Sequence, residues 1–265
     1  MTSFDQLVTF VDAYCKNVKD NLELRWGAYT PELRPSHGSD AIAGLLARQA
    51  TLAIEIARNP GIWNGNIAAL ILRSMTDTHI TLAWILENSN ERGKEYILYG
   101  LGQEKLQIEQ LTNEASTIPE EAKHEQLEQL IKMRQSWLDM QIAHWAIDVN
   151  LGSWSGKSTR QMASECDCDS LYKFAYTPFS AATHSMWNHV GLYNVEPCTV
   201  ALHKHHFLPC IRELDPDADF LYRSAKYVSK SFRAFSEKTS ASVDIPLPVE
   251  YFASNFPRES PQNGG

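Results

Sequence analysis

The chain has 265 residues, of which 43% are hydrophobic and 21% charged, with a formal net charge of −8. That length can bury a real core in one large domain or two small ones, and the composition is that of an ordinary globular protein. The acidic balance excludes a broadly basic, phosphate-binding surface and leaves only a local basic patch for nucleic acid.

From the N-terminus, MTSFDQLVTFVDAYCK has neither the basic region nor the long apolar region of a signal peptide. No uncharged apolar run approaches the ~20 residues of a membrane span, so no membrane contact is expected. A first helix is predicted over roughly 3–26. In 39–58, Ile42, Leu45, Leu46, Leu52 and Ile56 recur at helical steps, with Ser39 as N-cap and Asn59-Pro60-Gly61 as stop. Residues 62–88 continue the pattern through Ile67, Leu70, Ile71, Met75, Leu82 and Ile85, apolar on most sides, as befits the centre of a bundle. Two more long helices are expected over 91–116 and 119–148, the second opened by Thr117-Ile-Pro119-Glu120.

After Asp148 the rhythm changes. Asn150 to Lys157 reads as a loop, and Ser158-Thr-Arg-Gln161 fits a capping box opening a short helix. Thr177-Pro178 is expected to cap a helix through Val190, followed by irregular chain over 191–209. Asp215-Pro216 starts a last helix to about Lys238, and the Pro-, Ser- and Asn-rich remainder reads as a loosely held tail. The predicted fold is all-α: a multi-helix bundle with an irregular His-rich cap. It forms a single domain over 1–240 (helices 1–148, cap 150–240), with a flexible tail over 241–265.

Five of the nine histidines, His184, His189, His203, His205 and His206, crowd into this cap. Histidine titrates nearest neutral pH and is the commonest metal ligand, so chemistry is sought here first. Ser180 and His184 are four apart, about 40° from one another on a helix, and Tyr176 precedes them. A Ser-His pair can be a nucleophile and its base, or a helical Ser bonded to its own backbone beside a core His. His203 and His206, with Cys210 on the same face if that stretch is helical, form an alternative zinc site; otherwise no cofactor is expected. The five cysteines are Cys15, Cys166, Cys168, Cys198 and Cys210. An odd count without a secretion signal predicts reduced thiols in a cytoplasm. Cys166-Asp-Cys168 reads as too tight and isolated to add to a metal site. Arg73 and Asp77, four apart on the most apolar helix, must pair or face a cavity, because an unpaired buried charge is very costly.

Gly152 to Ser158 is one residue short of a phosphate loop and follows a helix, so ATP binding is rejected. Glu121 and His124 have the ExxH spacing of di-iron bundles, but they fall in a highly charged first turn with no second copy.

Arg73 and His79 make an Arg-x5-His pattern that resembles the motif of the small helical ribonucleases called HEPN domains. Ser74 departs from the polar Asn, Asp or His usual there, and positions six apart on a straight helix point about 120° away from each other. Several segments together also resemble an uncharacterised prokaryotic family of all-helical proteins. They are Leu72-Arg73-Ser74-Met75-Thr76-Asp77, Trp154-Ser-Gly-Lys-Ser158 with Met162-Ala163, and Leu171-Tyr172. To these are added Tyr176-x3-Ser180-x3-His184-x2-Trp187 and Leu202-His203-x2-His206-x2-Pro209. The resemblance runs over roughly 40–235, with Asp77 where Glu is usual and Ala201 where Pro is expected. It implies that Arg73, Asp77, Tyr176, Ser180, His184, His203 and His206 form one site, and it supplies no activity.

These readings combine into one expectation: an enzyme with a buried Arg/His pocket, acting on an RNA phosphodiester without metal, of defence or toxin type and able to form a homodimer. The alternatives are a His-coordinated metal enzyme and a non-catalytic binding or oligomerisation module in which the same residues lock the cap to the bundle.

Overall fold

A computed structural model describes residues 4–29, 36–118, 125–145, 156–200 and 206–257. The fold is all-α, with one small two-stranded sheet among the described residues. The chain divides into two compact units. The first comprises Met1–Leu33, Ile42–Glu87 and Ser158–Gly265, and the second Arg34–Ala41 and Asn88–Lys157.

The first unit is organised around α3 (Ala68–Glu87), where Leu72, Met75, Ile80, Leu82 and Ile85 are completely buried. Against it lies α10 (Ala218–Thr239), whose Leu221, Ala225, Val228, Phe232 and Phe235 recur at three- and four-residue steps and form one buried stripe. The helix α2 (His37–Arg58) is tied to both by a single amide. Gln49 Nε2 donates to the Met75 carbonyl at 3.1 Å, the Tyr227 carbonyl at 3.3 Å and Ser231 Oγ at 3.1 Å. On another side α3 meets α6 (Thr159–Glu165) and a continuous helical run. That run is α7 (Asp169–Leu171), a π-helical turn (Tyr172–Tyr176) and α8 (Thr177–Thr183).

Several boundaries differ from expectation for identifiable reasons. The cap of α2 is Ser36, whose Oγ accepts from the Ser39 N–H at 3.4 Å, and the helix starts two residues before Ser39. The stretch read as one helix from 62 opens with a 3₁₀ turn at Pro60–Ile62. Asn64 Oδ1 then takes the N–H groups of Asn66 and Ile67, so regular helix begins at Ala68. Thr177 does not cap a helix, because the chain reaches it already helical. Its N–H bonds the Tyr172 carbonyl five residues back, which closes the π turn just before Pro178, a residue without a donor. The helix expected to reach Val190 stops at Thr183. His184 caps it and Ser185 takes φ 48°, after which α9 (Trp187–Tyr193) starts afresh. The capping box forms as read: Gln161 N–H donates to Ser158 Oγ at 3.3 Å, and Ser158 N–H donates to Gln161 Oε1 at 2.8 Å.

Within the region read as irregular, β1 (Val195–Pro197) and β2 (Phe207–Pro209) pair antiparallel, Val195 opposite Pro209. Beyond Ser240 the chain is not loose throughout. Residues Pro248–Asn255 form α11, and Phe252 and Phe256 set their rings edge-on to Phe10 of α1 (Phe4–Ala28) at 5.7 and 5.1 Å. Asn17 and Asn21 of α1 both donate to the Pro246 carbonyl at 3.0 Å.

In the second unit, α4 (Ser89–Thr117) and α5 (Glu125–Trp145) pack through Leu101, Ile108 and Leu138. Arg134 forks onto Glu104, with Nε to Oε1 at 2.6 Å and Nη2 to Oε2 at 2.9 Å. This bond, chiefly, holds the Glu104 carboxyl below its ordinary range. The start predicted at Thr117–Glu120 and the Glu121/His124 pair fall on residues 119–124, outside those described. Backbone meets backbone where Gly38 and Gly93 cross: a Cβ on Gly93 would lie 2.6 Å from Gly38 Cα. Gly93→Ala is therefore expected to lower stability by about 1–3 kcal/mol, read in a urea titration, because no flexible side chain can yield there. Gly100→Ala, whose Cβ meets nothing within 4 Å, is the neutral control.

Candidate functional site

Helix α3 presents two polar groups to two different places. The first is Arg73, 9% exposed. Its Nε donates to Ser180 Oγ at 2.8 Å, its Nη1 pairs with Asp77, and its guanidinium carbon lies 3.2 Å from the centre of the Tyr176 ring. Tyr176 is stacked in turn on Tyr172, with centroids 4.7 Å apart. The π turn makes this possible by swinging Tyr172 and Tyr176 over the same patch of α3. Ser180 completes its own bonding by donating to the Tyr176 carbonyl at 2.8 Å. Arg73, Asp77, Tyr176 and Ser180 therefore meet, as a clamp between α3 and α8.

The histidines are distributed differently. His184 is exposed at the end of α8, its backbone N–H bonded to the Ser180 carbonyl, and no bond joins it to Arg73. His206 is exposed just before β2, and its carbonyl accepts from the Cys198 N–H at 2.9 Å. His203 and His205 lie outside the described residues, as do Gly152–Ser155 of the near-miss phosphate loop. The helix that would have put Cys210 on the face of His203 and His206 is not formed. Residues 207–209 are extended, which separates residues 206 and 210 by about 13 Å, and Cys210 Sγ accepts from Arg212 Nε at 3.4 Å. Among the described residues no group of three or more His, Cys, Asp or Glu is placed to hold a metal ion.

The second polar group of α3 is His79, 6% exposed. Its Nδ1 lies 3.0 Å from Ser231 Oγ on α10. Ser231 donates to the Tyr227 carbonyl at 3.3 Å and accepts from Gln49. With the hydroxyl proton engaged there, His79 donates through Nδ1–H and keeps Nε2 for its other neighbour, the Cys168 thiol, to which it is hydrogen-bonded. Cys166 and Cys168 flank Asp167, whose left-handed backbone (φ 54°) turns the two thiols toward each other. Asp is among the few residues that take this conformation at low cost.

The two thiols share one proton unequally. The Cys166 hydrogen bond lowers the Cys168 pKa against the opposing effect of burial, and His79 and Lys230 lower it further. Cys166 is raised, first by the same bond, then by burial and by the nearby thiolate and Glu87. The asymmetry follows from the surroundings: cationic groups face Cys168, and a carboxylate faces Cys166. Cys168 is the thiolate and Cys166 keeps its proton. His79, Cys166 and Cys168 line a cavity of about 300 Å³ together with Lys230, Arg233 and Lys238.

A family of unknown function (DUF5677) matches residues 39–197 of the chain. The chain belongs to this family. No curated protein and no solved structure matches it. The family match takes in both faces of α3, including Arg73, His79, Cys166, Cys168, Tyr176, Ser180 and His184, whereas Lys230 and Ser231 come from beyond it.

The thiol cluster was missed from sequence because Cys166-x-Cys168 has no metal-ligand spacing and its partners lie far along the chain. His79 stood out only as part of Arg-x5-His. The structure gives its Arg and its His separate partners on separate elements, α8 for Arg73 and α10 with the Cys166–Cys168 turn for His79.

Proposed function

We propose that this protein is a thiol-dependent enzyme in which Cys168 is the nucleophile and His79 holds its proton. The observation that carries the reading is the meeting of Cys168, His79 and a second thiol on the wall of one cavity. A thiolate is the reactive form of cysteine, and an adjacent imidazolium both stabilises it and returns the proton to a leaving group. Ser231 fixes the ring that does this, as the third member of such arrangements does. Labelling with substoichiometric iodoacetamide at mildly acidic pH, mapped by peptide mass spectrometry, is expected to place the label on Cys168 first. Cys15, whose thiol is raised by burial, is expected to stay unlabelled. Label entering the half-buried Cys198 and Cys210 first would overturn the reading.

A second reading keeps the RNA chemistry expected from sequence and, with it, the HEPN-like analogy, a homodimer and a role in defence. It is favoured by the Arg73 guanidinium, whose Nη2 has no partner among the described residues, and by the exposed His184 one turn beyond Ser180. Arg73 would stabilise the developing anion and His184 would move the proton. Cleavage of RNA in EDTA that is lost in His184→Ala, with helical circular dichroism intact, supports it. Absence of EDTA-resistant cleavage removes it.

A further inference from the structure

We propose that Cys166-Asp167-Cys168 is a thiol–disulfide exchange centre that takes small-molecule disulfides, with Cys168 attacking and Cys166 resolving. This rests on the thiol reading above and adds a role for Cys166, which a single-nucleophile mechanism does not need.

Three observations carry it. The two thiols are hydrogen-bonded to each other across the Asp167 turn, so the second sulfur stands beside the atom where a mixed disulfide would form. Cys166 is half-buried and held by the Ile80 and Ala163 carbonyls, with Sγ at 3.8 and 3.9 Å, contacts that fix its place on the same wall. The cavity gives both sulfurs access to a small molecule, and its charged lining is mixed: Glu87, Asp167 and Glu237 against Lys230, Arg233 and Lys238. Glu87 and Lys238 already pair at 2.9 Å. Such a rim suits a ligand that carries both carboxylate and ammonium groups, as a peptide disulfide does.

The steps balance. The Cys168 thiolate attacks one sulfur of the disulfide RS–SR, forming Cys168–S–SR and expelling RS⁻, which takes a proton to become RSH. Cys166 then loses its proton and attacks the Cys168 sulfur. The second RS⁻ leaves and is protonated in turn. The protein loses two electrons and two protons as its dithiol becomes a disulfide, and the small disulfide gains them as two RSH.

The test treats the reduced full-length protein with oxidised glutathione at neutral pH under argon, and maps the products by peptide mass spectrometry. The expected products are a Cys166–Cys168 disulfide and two molecules of reduced glutathione per chain. Cys166→Ser should stop at a glutathione adduct on Cys168, and Cys168→Ser should slow the reaction about tenfold or more. A glutathione adduct on Cys168 that persists in the wild type as it does in Cys166→Ser would overturn the proposal, and the wild-type map decides this even where a variant folds poorly. Preferential iodoacetamide labelling of Cys168 with no exchange ends this proposal and leaves the thiol reading standing. No labelling preference ends both.

Discussion

Replacing Arg73 with alanine is expected to lower stability by about 2–4 kcal/mol, through the space it leaves and the stacking it removes. On a chain of this size that is a fall in Tm of roughly 2–4 °C per kcal/mol, measurable by circular dichroism. The ion pair with Asp77 is the smaller part of the effect. The Asp77 side chain is 44% exposed, so its attraction to Arg73 is screened and is worth at most about 1 kcal/mol. The larger part is on the buried side, where Arg73 lies flat on Tyr176 and donates to Ser180, itself 8% exposed. Asp77→Ala is accordingly expected to cost much less than Arg73→Ala. Arg73→Lys should recover little, because an ammonium cannot both stack on the ring and span Ser180 and Asp77. Equal losses from Asp77→Ala and Arg73→Ala would show that the clamp is held by charge.

Replacing His79 with alanine is expected to change the chemistry of Cys168 more than any other single substitution that leaves both cysteines in place. It removes a hydrogen bond and a neighbouring cation that keep the Cys168 thiol low. The thiol then titrates closer to its ordinary range. At a pH below that range each unit of upward shift removes about nine-tenths of the thiolate, so alkylation of Cys168 in mildly acidic buffer should slow about tenfold. Ser231 also loses its imidazole neighbour, although it retains Gln49 and the Tyr227 carbonyl. His79→Gln, which fills more of the space without supplying a titrating cation, separates the effect on the thiol from the effect on packing. If slow alkylation arises from the missing charge, both variants show it.

The helices were legible in the sequence because burial imposes a period. The stripe of α10 and the all-round apolar character of α3 follow directly from their residues, as does the Ser158–Gln161 box. What was not legible depended on local geometry that composition hides. Thr177-Pro178 has the residues of a helix start, but the π turn delivers the chain to it already helical. The Pro- and Ser-rich C-terminal stretch reads as loose, yet Leu247, Phe252 and Phe256 recur at spacings that let α11 dock on Phe10. At the sites, Arg73 with Asp77 was legible because charge on an apolar helix demands a partner, and Tyr176 and Ser180 because they share a helical face. The thiol centre was hidden by distance along the chain. Nothing in Cys166-Asp-Cys168 reports that α3 will bring His79, and α10 Lys230, to the same cavity.

The most direct test of the thiol centre is the rate of Cys168 alkylation as a function of pH in the unmodified protein. Cys168 has its pKa lowered, so its thiolate persists at pH values where an ordinary cysteine is protonated, and reactivity is lost only as the pH falls through the lowered value. The groups that face it are Cys166 on its own turn, His79 on α3 and Lys230 on α10, with Glu87, Asp167, Arg233, Glu237 and Lys238 around the cavity. The rate should therefore be nearly flat through neutral pH and inflect well below the ordinary thiol value of 9.0. A rate that climbs through neutrality and inflects at that ordinary value would mean that Cys168 is a plain thiol and that the cavity is not a reactive centre.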